Sequence, residues 1–535
     1  MDLPALQEAL GPGDALDLLA AALDAMAVDP RVRAIRLHLR RTHGGLARLQ
    51  DATAALLRFR ATGRRVLADL DEAEDADLLL AATADRVAIS PAGTLDARGL
   101  ALRGVYLADA LARLGVEVEV IAAGAFKSAG EPLARSAPSP AHREATDALV
   151  ADLQDQWTAA VAAGRNMDPA ALRAALARAP LSPREALEAG LVDEVAWPDE
   201  VKERLPEVLG FRPRAISFPA WSRGWRLDRA WRRANGAARP VAVVRLQGPI
   251  THRGPPGGSR RAIEADRVIP LLERLREDDS VRGVLLVVDS GGGGVGPSEA
   301  LWDAVGRLRE KRPVVALFRG TAASGAYALS LPAWIVAAPG TLTGSIGVLL
   351  VRPLVAGALS RLGLHTATWR GAPHADLDDP ARPLSGPERA RLEAMVSRAY
   401  ATFLERVAEG RHMDLPAVEA VAGGRVWTGR QALAAGLVDR LGGFREAWAD
   451  LCERVRVPPG DVPEPRFDLA PGRPPPLRRW LARVLPAPGL VADLAPLGAL
   501  LARWTALPAA QVALAALAHG PRAPLAVAPF DVEEG

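Results

Sequence analysis

Residues 313–348 read PVVALFRGTAASGAYALSLPAWIVAAPGTLTGSIGV. The first six form an apolar, β-branched-rich run that predicts a buried strand. A turn of small residues follows at 319–327 and leads into a helical pattern that Pro332 ends. Ser324 is therefore expected at a helix N-terminus, where free backbone N–H groups favour negative charge. That setting suits a hydroxyl that attacks a carbonyl and generates an oxyanion, but tight strand–helix packing explains a small residue equally well.

The composition predicts a globular protein with at least two domains. The chain has 535 residues, of which 49% are hydrophobic and 24% charged. Because 66 basic residues face 63 acidic ones, the net charge of +3 gives no case for binding nucleic acid. Cys452 is the single cysteine, so an intrachain disulfide is excluded.

Lysine is rare in this arginine-rich sequence. It occurs at Lys127, Lys202 and Lys311, and the other 63 basic residues are arginine. A buried lysine can lose its proton and act as a base, whereas arginine stays protonated. Each lysine is therefore a candidate for chemistry, although chance also leaves a few.

Neither a secretory signal peptide nor a membrane-spanning helix is expected. Residues 1–4 (MDLP) lack the basic start and apolar core of a signal peptide. No run of about 18 uncharged apolar residues occurs. The nearest candidate, 484–518, is interrupted by proline and charged residues. It is expected to form packed helices or a surface-seeking segment, so membrane contact stays open.

Alternating helix and strand patterns, with strands expected at 65–70 and 86–90 among them, predict an α/β protein with a mostly parallel sheet. The same order of patterns occurs twice. The pairs Gly-Gly at 44–45 and Leu-Gly at 114–115 return 248 residues later, at 292–293 and 362–363. The segment Ala-Gly-Leu-Val-Asp ends at Asp193 and again, 246 residues later, at Asp439. A constant period over several landmarks predicts two homologous domains.

We expect four regions. They are an N-terminal repeat, a Trp/Arg-rich linker, a C-terminal repeat that opens with a strand at 241–246, and a Pro-rich extension, at 1–215, 216–239, 240–457 and 458–535. The linker holds Trp221, Trp225 and Trp231. Tryptophan with arginine can mark a membrane interface or a partner-binding strip, but indoles that pack on the two domains are the favoured interpretation.

Each repeat contains a reactive residue that the other lacks. The position 248 residues before Ser324 is Ala76, and the position 248 residues after Lys127 is Ala375. A serine hydroxyl and a neutral lysine form a known nucleophile–base pair, provided that burial removes the lysine proton. The small, apolar neighbourhood 122–130 agrees with burial. Without the repeat, a solvated loop lysine would be the usual interpretation.

The stretch 287–295 (VVDSGGGGV) is a predicted strand that ends in four glycines. Glycines let backbone N–H groups approach a ligand closely. A phosphate-binding turn is the rival interpretation, but the G-x-G-x-x-G pattern is missing. An oxyanion hole formed by Gly292 or Gly293 with the amide of Gly325 fits better.

These motifs together resemble a known family. They are DSGGG, AASGAY, TLTGSIGV and FKSAGEP, at 289–293, 322–327, 341–348 and 126–132, supported by RVWTG at 425–429. The sequence is similar, over roughly residues 5–455, to the long, two-repeat signal peptide peptidases of peptidase family S49.

The resemblance implies a fold, an activity and a site. It implies tandem ClpP/crotonase-like domains, a bowl-shaped homotetramer and hydrolysis of peptides, such as cleaved signal peptides, at the inner membrane of a bacterium. Neither a metal nor another cofactor is implied. Ser324 matches the family's nucleophile, Lys127 its general base and Ser345 the serine that orients the lysine amine.

The sequence departs from the family pattern at three places. Asp289 and Gly291 stand where family members usually have asparagine and proline, so a less preorganised loop is expected. Ala326 replaces the second glycine after the nucleophile. The family's N-terminal membrane anchor and first strand are not found, so a soluble form is also open.

Two other functions remain open from the residues. A crotonase-type acyl-CoA enzyme would share the oxyanion chemistry, and a non-catalytic scaffold would bind apolar peptides. Neither explains the serine and lysine together. A histidine-based triad is not favoured, because nothing places His365 or His374 beside Ser324.

Overall fold

The computed structural model describes residues 1, 12–225, 241–253 and 262–456, and the backbone of two further strands at 467–469 and 525–527. The described strands of the first half are β1 (Ala34–Leu39), β2 (Arg65–Glu74), β3 (Arg86–Asp96), β4 (Glu117–Ala123) and β5 (Glu194–Val195). Its described helices are α1 (Pro12–Val28), α2 (Leu46–Ala61), α3 (Asp75–Ala81), α4 (Ala108–Arg113), α5 (Glu131–Ala134), α6 (Pro140–Arg165), α7 (Pro169–Leu176), α8 (Pro183–Glu188) and α9 (Pro198–Leu209).

The first half is built on a parallel sheet in the order β1-β2-β3-β5. Apolar side chains of α1 and α2, such as Leu19 and Phe59, are buried with those of the strands in one core. Strands β2 and β3 extend beyond the ends expected at residues 70 and 90. The register shifts between Leu70 and Glu72, and the two strands then pair again from Glu72 with Thr94 to Glu74 with Asp96.

The second half has the strands β6 (Val241–Gln247), β7 (Ile250–Thr251), β8 (Ile263–Glu264), β9 (Gly283–Ser290), β10 (Gly292–Gly294), β11 (Val314–Ala323), β12 (Trp334–Ala337), β13 (Leu342–Gly344), β14 (Val348–Leu354), β15 (Val426–Thr428) and β16 (Arg440–Leu441). Its described helices are α10 (Ala265–Glu277), α11 (Val295–Lys311), α12 (Gly325–Ser330), α13 (Ala356–Arg361), α14 (Gly386–Arg411), α15 (Leu415–Val421), α16 (Gly429–Ala434) and α17 (Phe444–Arg454). The strands β17 (Phe467–Leu469) and β18 (Leu525–Val527) follow.

The main sheet of the second half has the order β15-β13-β11-β9-β6-β17 and is parallel from β13 to β17. Alternate residues of its strands face opposite layers. Ala242 and Val244 join the core beneath α10 and α11, whereas Val241 and Val243 pack with Trp448 of α17. These two mostly parallel α/β units confirm the predicted fold class.

A third sheet joins the halves, in the order β4-β14-β18-β10-β7-β8. Strand β4 of the first half runs antiparallel to β14 of the second over seven paired residues, from Glu117 with Leu354 to Ala123 with Val348. Lys127 follows β4 and Ser345 precedes β14, so this pairing brings the two segments together.

The glycine stretch and the tryptophan segment each add a detail to the sequence interpretation. Residues 292–294 form strand β10 instead of a loop. Trp221 packs against the first core and stacks between Phe218 and Trp225, while Trp231 lies outside the described residues. None of the described helices is long and apolar enough to cross a membrane, and residues 484–518 lie outside the described part.

Candidate active site

Ser324 lies between β11 and α12, at the N-terminus of that helix. Its backbone has φ 52° and ψ −115°, a conformation that costs a non-glycine residue of the order of 1–3 kcal/mol. The amide of Ser324 donates a hydrogen bond of 2.7 Å to the Gly344 carbonyl, which holds the strained turn. The side chain is fully buried.

Lys127 reaches Ser324 from the other half of the chain. Its Nζ lies 2.9 Å from Ser324 Oγ, 2.9 Å from Ser345 Oγ and 2.9 Å from the Ser345 carbonyl oxygen. Lys127 is 5% exposed, and burial holds its pKa well below the ordinary value of 10.5. Among the described residues no carboxylate forms an ion pair with it, so no opposite charge among them offsets the cost of burying the ammonium group.

The three contacts fit an uncharged amine. A neutral amine has two N–H donors and one lone pair, whereas an ammonium group has three donors. If the amine is neutral and donates to the two oxygens of Ser345, its lone pair is left for the hydroxyl of Ser324. Ser345 itself is buried and held by a 2.8 Å hydrogen bond from its amide to the Arg425 carbonyl.

A glycine turn that the sequence interpretation missed supports the lysine loop. The amide of Phe126 donates to the Gly423 carbonyl at 2.7 Å. Gly424 has φ 86°, and a Cβ atom there would lie 2.5 Å from the backbone nitrogen of Lys127. Glycine is therefore required on both counts. The signal was the Gly-Gly pair just before the 425–429 motif.

The three glycines expected to form an oxyanion hole lie together but differ in their contacts. A Cβ atom on Gly325 would lie 2.3 Å from Ser298 Oγ and 3.5 Å from the Gly293 nitrogen, so these two backbones are close. The amide of Gly292 donates to Ser290 Oγ at 3.1 Å. Because the Gly292 amide already donates this hydrogen bond, Gly293 and Gly325 are favoured over Gly292 as oxyanion donors.

Asp289, which stands where an asparagine was expected, has a cationic partner from the first half. Its Oδ2 lies 2.6 Å from Nη2 of Arg48, and its Oδ1 accepts a hydrogen bond of 3.2 Å from the Thr321 amide. The carboxylate thus ties the segment before the glycines to the strand that leads into Ser324. No sequence pattern pointed to Arg48.

The other candidates lie elsewhere. His365 and His374 are exposed, and His374 lies 3.6 Å from Glu388. Lys202 is exposed, and Lys311 pairs with Glu277 at 2.9 Å. Among the described residues, no cluster of histidine, cysteine and carboxylate side chains could hold a metal ion.

Comparison with known proteins identifies two matching segments. The model of peptidase family S49 matches residues 58–211 and 306–458, which confirms the predicted pair of homologous repeats. Serine protease SPPA, chloroplastic, of Arabidopsis thaliana is 27% identical over 462 residues, covering 85% of this chain and 68% of that protein. Protease 4 of Salmonella typhi is 32% identical over 419 residues, covering 75% of this chain and 66% of its own length.

The chain thus spans about two thirds of the length of these relatives. A solved structure of a mutant ClpP1 from Listeria monocytogenes matches 38% of this chain and 94% of its own, with 14% identity and a TM-score of 0.26.

Proposed function

The chain belongs to peptidase family S49, and from this premise we propose that it is a serine endopeptidase with a Ser324–Lys127 dyad. The observation that carries the proposal is the 2.9 Å contact between a buried lysine amine and a serine hydroxyl held in a strained turn. An acyl-CoA enzyme or a binding scaffold would not need that pair.

In the first step, the lone pair of Lys127 Nζ takes the hydroxyl proton as Ser324 Oγ attacks the substrate carbonyl carbon. Ser345 accepts both amine hydrogens and so keeps the lone pair aimed at Ser324. The carbonyl oxygen becomes negative in the tetrahedral intermediate. The amides of Gly293 and Gly325, which lie side by side near Ser324, are the groups we propose to stabilise it.

The second step breaks the peptide bond. The ammonium group of Lys127 returns its proton to the departing amine, and an ester joins the acyl group to Ser324. A water molecule then gives a proton to Lys127 and attacks the ester carbonyl. The proton passes to Ser324 Oγ as the ester breaks, which releases a carboxylic acid and restores the dyad.

For substrates, we propose extended apolar peptides such as cleaved signal peptides. The family resemblance supports this class, together with action beside a bacterial inner membrane, membrane contact and a homotetramer. The relatives named as proteases support peptide hydrolysis in general.

A fluorophosphonate probe tests the dyad, because it reacts with an activated serine hydroxyl. We expect labelling at Ser324, no labelling of Ser324→Ala, and a labelling rate about 100-fold or more lower for Lys127→Ala. Lys202→Ala is the matched control, since this lysine is exposed and in the same half. Equal labelling rates for the Lys127 and Lys202 variants would reject the dyad.

A further inference from the structure

The side chain of Arg425 links the lysine loop to strand β15. Its guanidinium carbon lies 5.0 Å from the ring centre of Phe126, the residue before Lys127, and 4.9 Å from that of Trp427 in β15. Both distances are in the range of cation–π contacts. We call Phe126, Arg425 and Trp427 the arginine–aromatic cluster. It joins a loop of the first half to a strand of the second.

The main chain of Arg425 holds the turn that contacts the lysine amine. Its carbonyl oxygen accepts the 2.8 Å hydrogen bond from the Ser345 amide. Ser345 in turn supplies two of the three oxygens that lie 2.9 Å from Lys127 Nζ. Arg425 therefore contacts both the loop that carries the amine and the turn that orients it.

Trp427 is itself fixed in place. Its Nε1 donates a hydrogen bond of 2.9 Å to the Val421 carbonyl. Its backbone pairs with Thr343, two residues before Ser345, where β15 runs antiparallel to β13. A ring that is fixed in this way is a firm support for the arginine.

Glu144 of α6 adds an ion pair from the first half. Its Oε1 lies 2.7 Å from Nη1 of Arg425, and the two side chains are 60% and 21% exposed. An exposed ion pair of this kind contributes little by itself. We therefore assign the link between the loop and β15 to the ring contacts, with Glu144 as a partner that orients the guanidinium group.

The lysine side chain is tightly enclosed beside this cluster. A Cβ atom on Gly347 would lie 3.1 Å from Lys127 Cδ and 3.1 Å from the Cα atom of Gly424, the residue before Arg425. Close contacts on these sides keep water from the amine. If the loop moved away from β15, water would reach the amine, and hydration favours its charged form.

We infer that Arg425 is a positioning residue of the proposed peptidase. Through the arginine–aromatic cluster it holds the lysine loop closed, which keeps water out and keeps the Lys127 amine on Ser324. The inference rests on the proposed function, because it assigns to Arg425 a role that is exerted through the general base.

The pH dependence of kcat/KM tests this role. For Arg425→Ala we expect the midpoint of the rise with pH to move up by about one unit, because hydration raises the pKa of Lys127 toward its ordinary value. Below both midpoints kcat/KM should be about tenfold lower than in the wild type, and the deficit should shrink as the pH rises. A smaller amount of folded protein would lower the rate without moving the midpoint.

Other titratable groups lie near the loop and are unchanged in this variant. Tyr400 of α14 accepts a hydrogen bond of 3.1 Å from the Gly423 amide, and burial raises the pKa of Tyr400. Just after the loop, Glu131 lies 3.3 Å from His142 of α6, whose pKa burial lowers. Glu144 is the charged group that contacts Arg425 directly, so Glu144→Gln should be measured alongside and should move the midpoint by less than Arg425→Ala does.

Arg430→Ala is the matched control. Arg430 also pairs with a carboxylate of α6, Asp152, at 2.6 Å, but it lies outside the arginine–aromatic cluster. Its midpoint should equal that of the wild type, and its kcat/KM should stay within about twofold. Phe126→Leu is the second variant, in case Arg425→Ala does not fold. It keeps an apolar side chain without a ring face and should move the midpoint in the same direction by a smaller amount.

Hydrogen exchange gives a readout that needs no catalysis. The amide of Phe126 donates to the Gly423 carbonyl at 2.7 Å, and that of Lys127 to the Gly124 carbonyl at 3.1 Å. In Arg425→Ala, peptides that cover 124–130 should exchange about tenfold faster than in the wild type or in Arg430→Ala, because the loop opens more often.

An unchanged midpoint in folded Arg425→Ala, or in Phe126→Leu if the first variant does not fold, would overturn the inference. So would unchanged exchange of 124–130. Either result, with a wild type that hydrolyses an added peptide, would leave the peptidase proposal standing. A wild-type chain that neither hydrolyses peptide nor reacts with the fluorophosphonate probe would instead reject the proposed function, and with it the role of Arg425.

Discussion

At the residue scale, the proposed chemistry depends on the proton of one amine. Lys127 is buried, and the hydrogen-bond partners of its amine are hydroxyl and carbonyl oxygens of two serines. These oxygens accept hydrogen bonds but carry no full charge. Burial therefore decides the protonation state, and the pKa falls because the charged form is poorly solvated.

The pH dependence of catalysis follows from that pKa. We expect kcat/KM for an apolar peptide to rise with pH as Lys127 loses its proton, with a midpoint well below the ordinary lysine value of 10.5. Rate measurements between pH 5 and 10 test this. A profile that falls over this range, or that peaks near pH 5, would contradict a lysine base.

The same residue predicts a pH dependence of stability. The folded-state pKa of Lys127 is depressed, so between that value and 10.5 the unfolded chain binds one more proton than the folded chain. The free energy of unfolding therefore rises with pH in this window, by at most about 1.4 kcal/mol per pH unit.

Lys127→Met, which cannot titrate, should lose this contribution. We expect the wild type to gain stability relative to Lys127→Met as the pH rises from 7 to 10 in urea denaturation. Lys311→Met, at an exposed ion pair with Glu277, serves as the control and should not show the gain. A constant difference between wild type and Lys127→Met would mean that the amine is already charged and solvated.

Gly424 gives a further prediction at this scale. Alanine at this position would have an unfavourable φ of 86°, and its Cβ atom would lie 2.5 Å from the backbone nitrogen of Lys127. Because that distance is a steric clash, the loop that carries Lys127 must shift. We expect kcat/KM to fall about 100-fold, the cost of misplacing a catalytic group by about 1 Å.

Gly436→Ala is the matched control for Gly424→Ala. It has a similar φ of 73°, but the nearest atom to its Cβ would be Met413 Sδ at 3.8 Å. It should lower the melting temperature through backbone strain and leave kcat/KM nearly unchanged. Similar losses of activity in both variants would show that strain alone accounts for the effect.

At the element scale, the segments of the proposed active site are held by contacts between the halves. Strands β4 and β14 align the lysine loop with the Ser345 turn. Arg48 of α2 pairs with Asp289 at the end of β9, just before strand β10 with its proposed oxyanion donor. Arg319 of β11 pairs in turn with Asp17 of α1 and, at 3.2 Å, with Asp51 of α2.

A double-mutant cycle tests the Arg48–Asp289 pair as a positioning contact. Arg48→Met leaves the Asp289 carboxylate without its cation, and we expect kcat to fall about tenfold with KM little changed. The double variant Arg48→Met/Asp289→Asn should recover to within about threefold of wild type, because asparagine still accepts from the Thr321 amide without a charge.

Arg312→Met is the control. It breaks the 3.0 Å pair with Asp279, which lies in the second half like Asp289, and it should leave kcat unchanged. If the double variant is as slow as the slower single variant, the pair does not position the site.

The sequence made some of these residues predictable and others not. Ser324 and Lys127 stood out because the repeat showed that each half lacks what the other has, and because lysine is rare in this chain. Arg48 is one of 63 arginines, and its partner lies 241 positions away, so no local pattern could identify it. Gly424 is one of 49 glycines, and its contact with Lys127 exists only after the halves have packed.

The strand lengths show the same division between local and tertiary information. Apolar periodicity predicted β2 only to Leu70, since residues 71–74 are mostly acidic. Pairing with β3 extends the strand to Glu74. A strand that is held by its neighbour, and not by its own apolar face, carries little signal in the sequence.

At the scale of the whole molecule, the two repeats form one site within one chain. Ser324 and Lys127 are 197 residues apart in sequence but in contact in a single protomer. A complete site is therefore expected in every copy, whatever the number of copies in the assembly. In a homotetramer, two arrangements would be conceivable. Each site could take its serine and lysine from one chain, or a neighbouring copy could supply the lysine.

Mixing two inactive variants distinguishes these arrangements. If each site uses the serine and the lysine of one chain, Ser324→Ala mixed with Lys127→Ala has one defect in every site, and activity should stay at the level of the separate variants. If lysine came from a neighbouring copy, co-assembly of equal amounts would restore about a quarter of the wild-type sites by random pairing. Co-expression ensures that the chains assemble together, and peptide hydrolysis with fluorophosphonate labelling measures the restored sites. Labelling of the Lys127→Ala chain in the mixed assembly would contradict the single-chain site, whereas its absence would tie the activity to the packing of β4 on β14 within each copy.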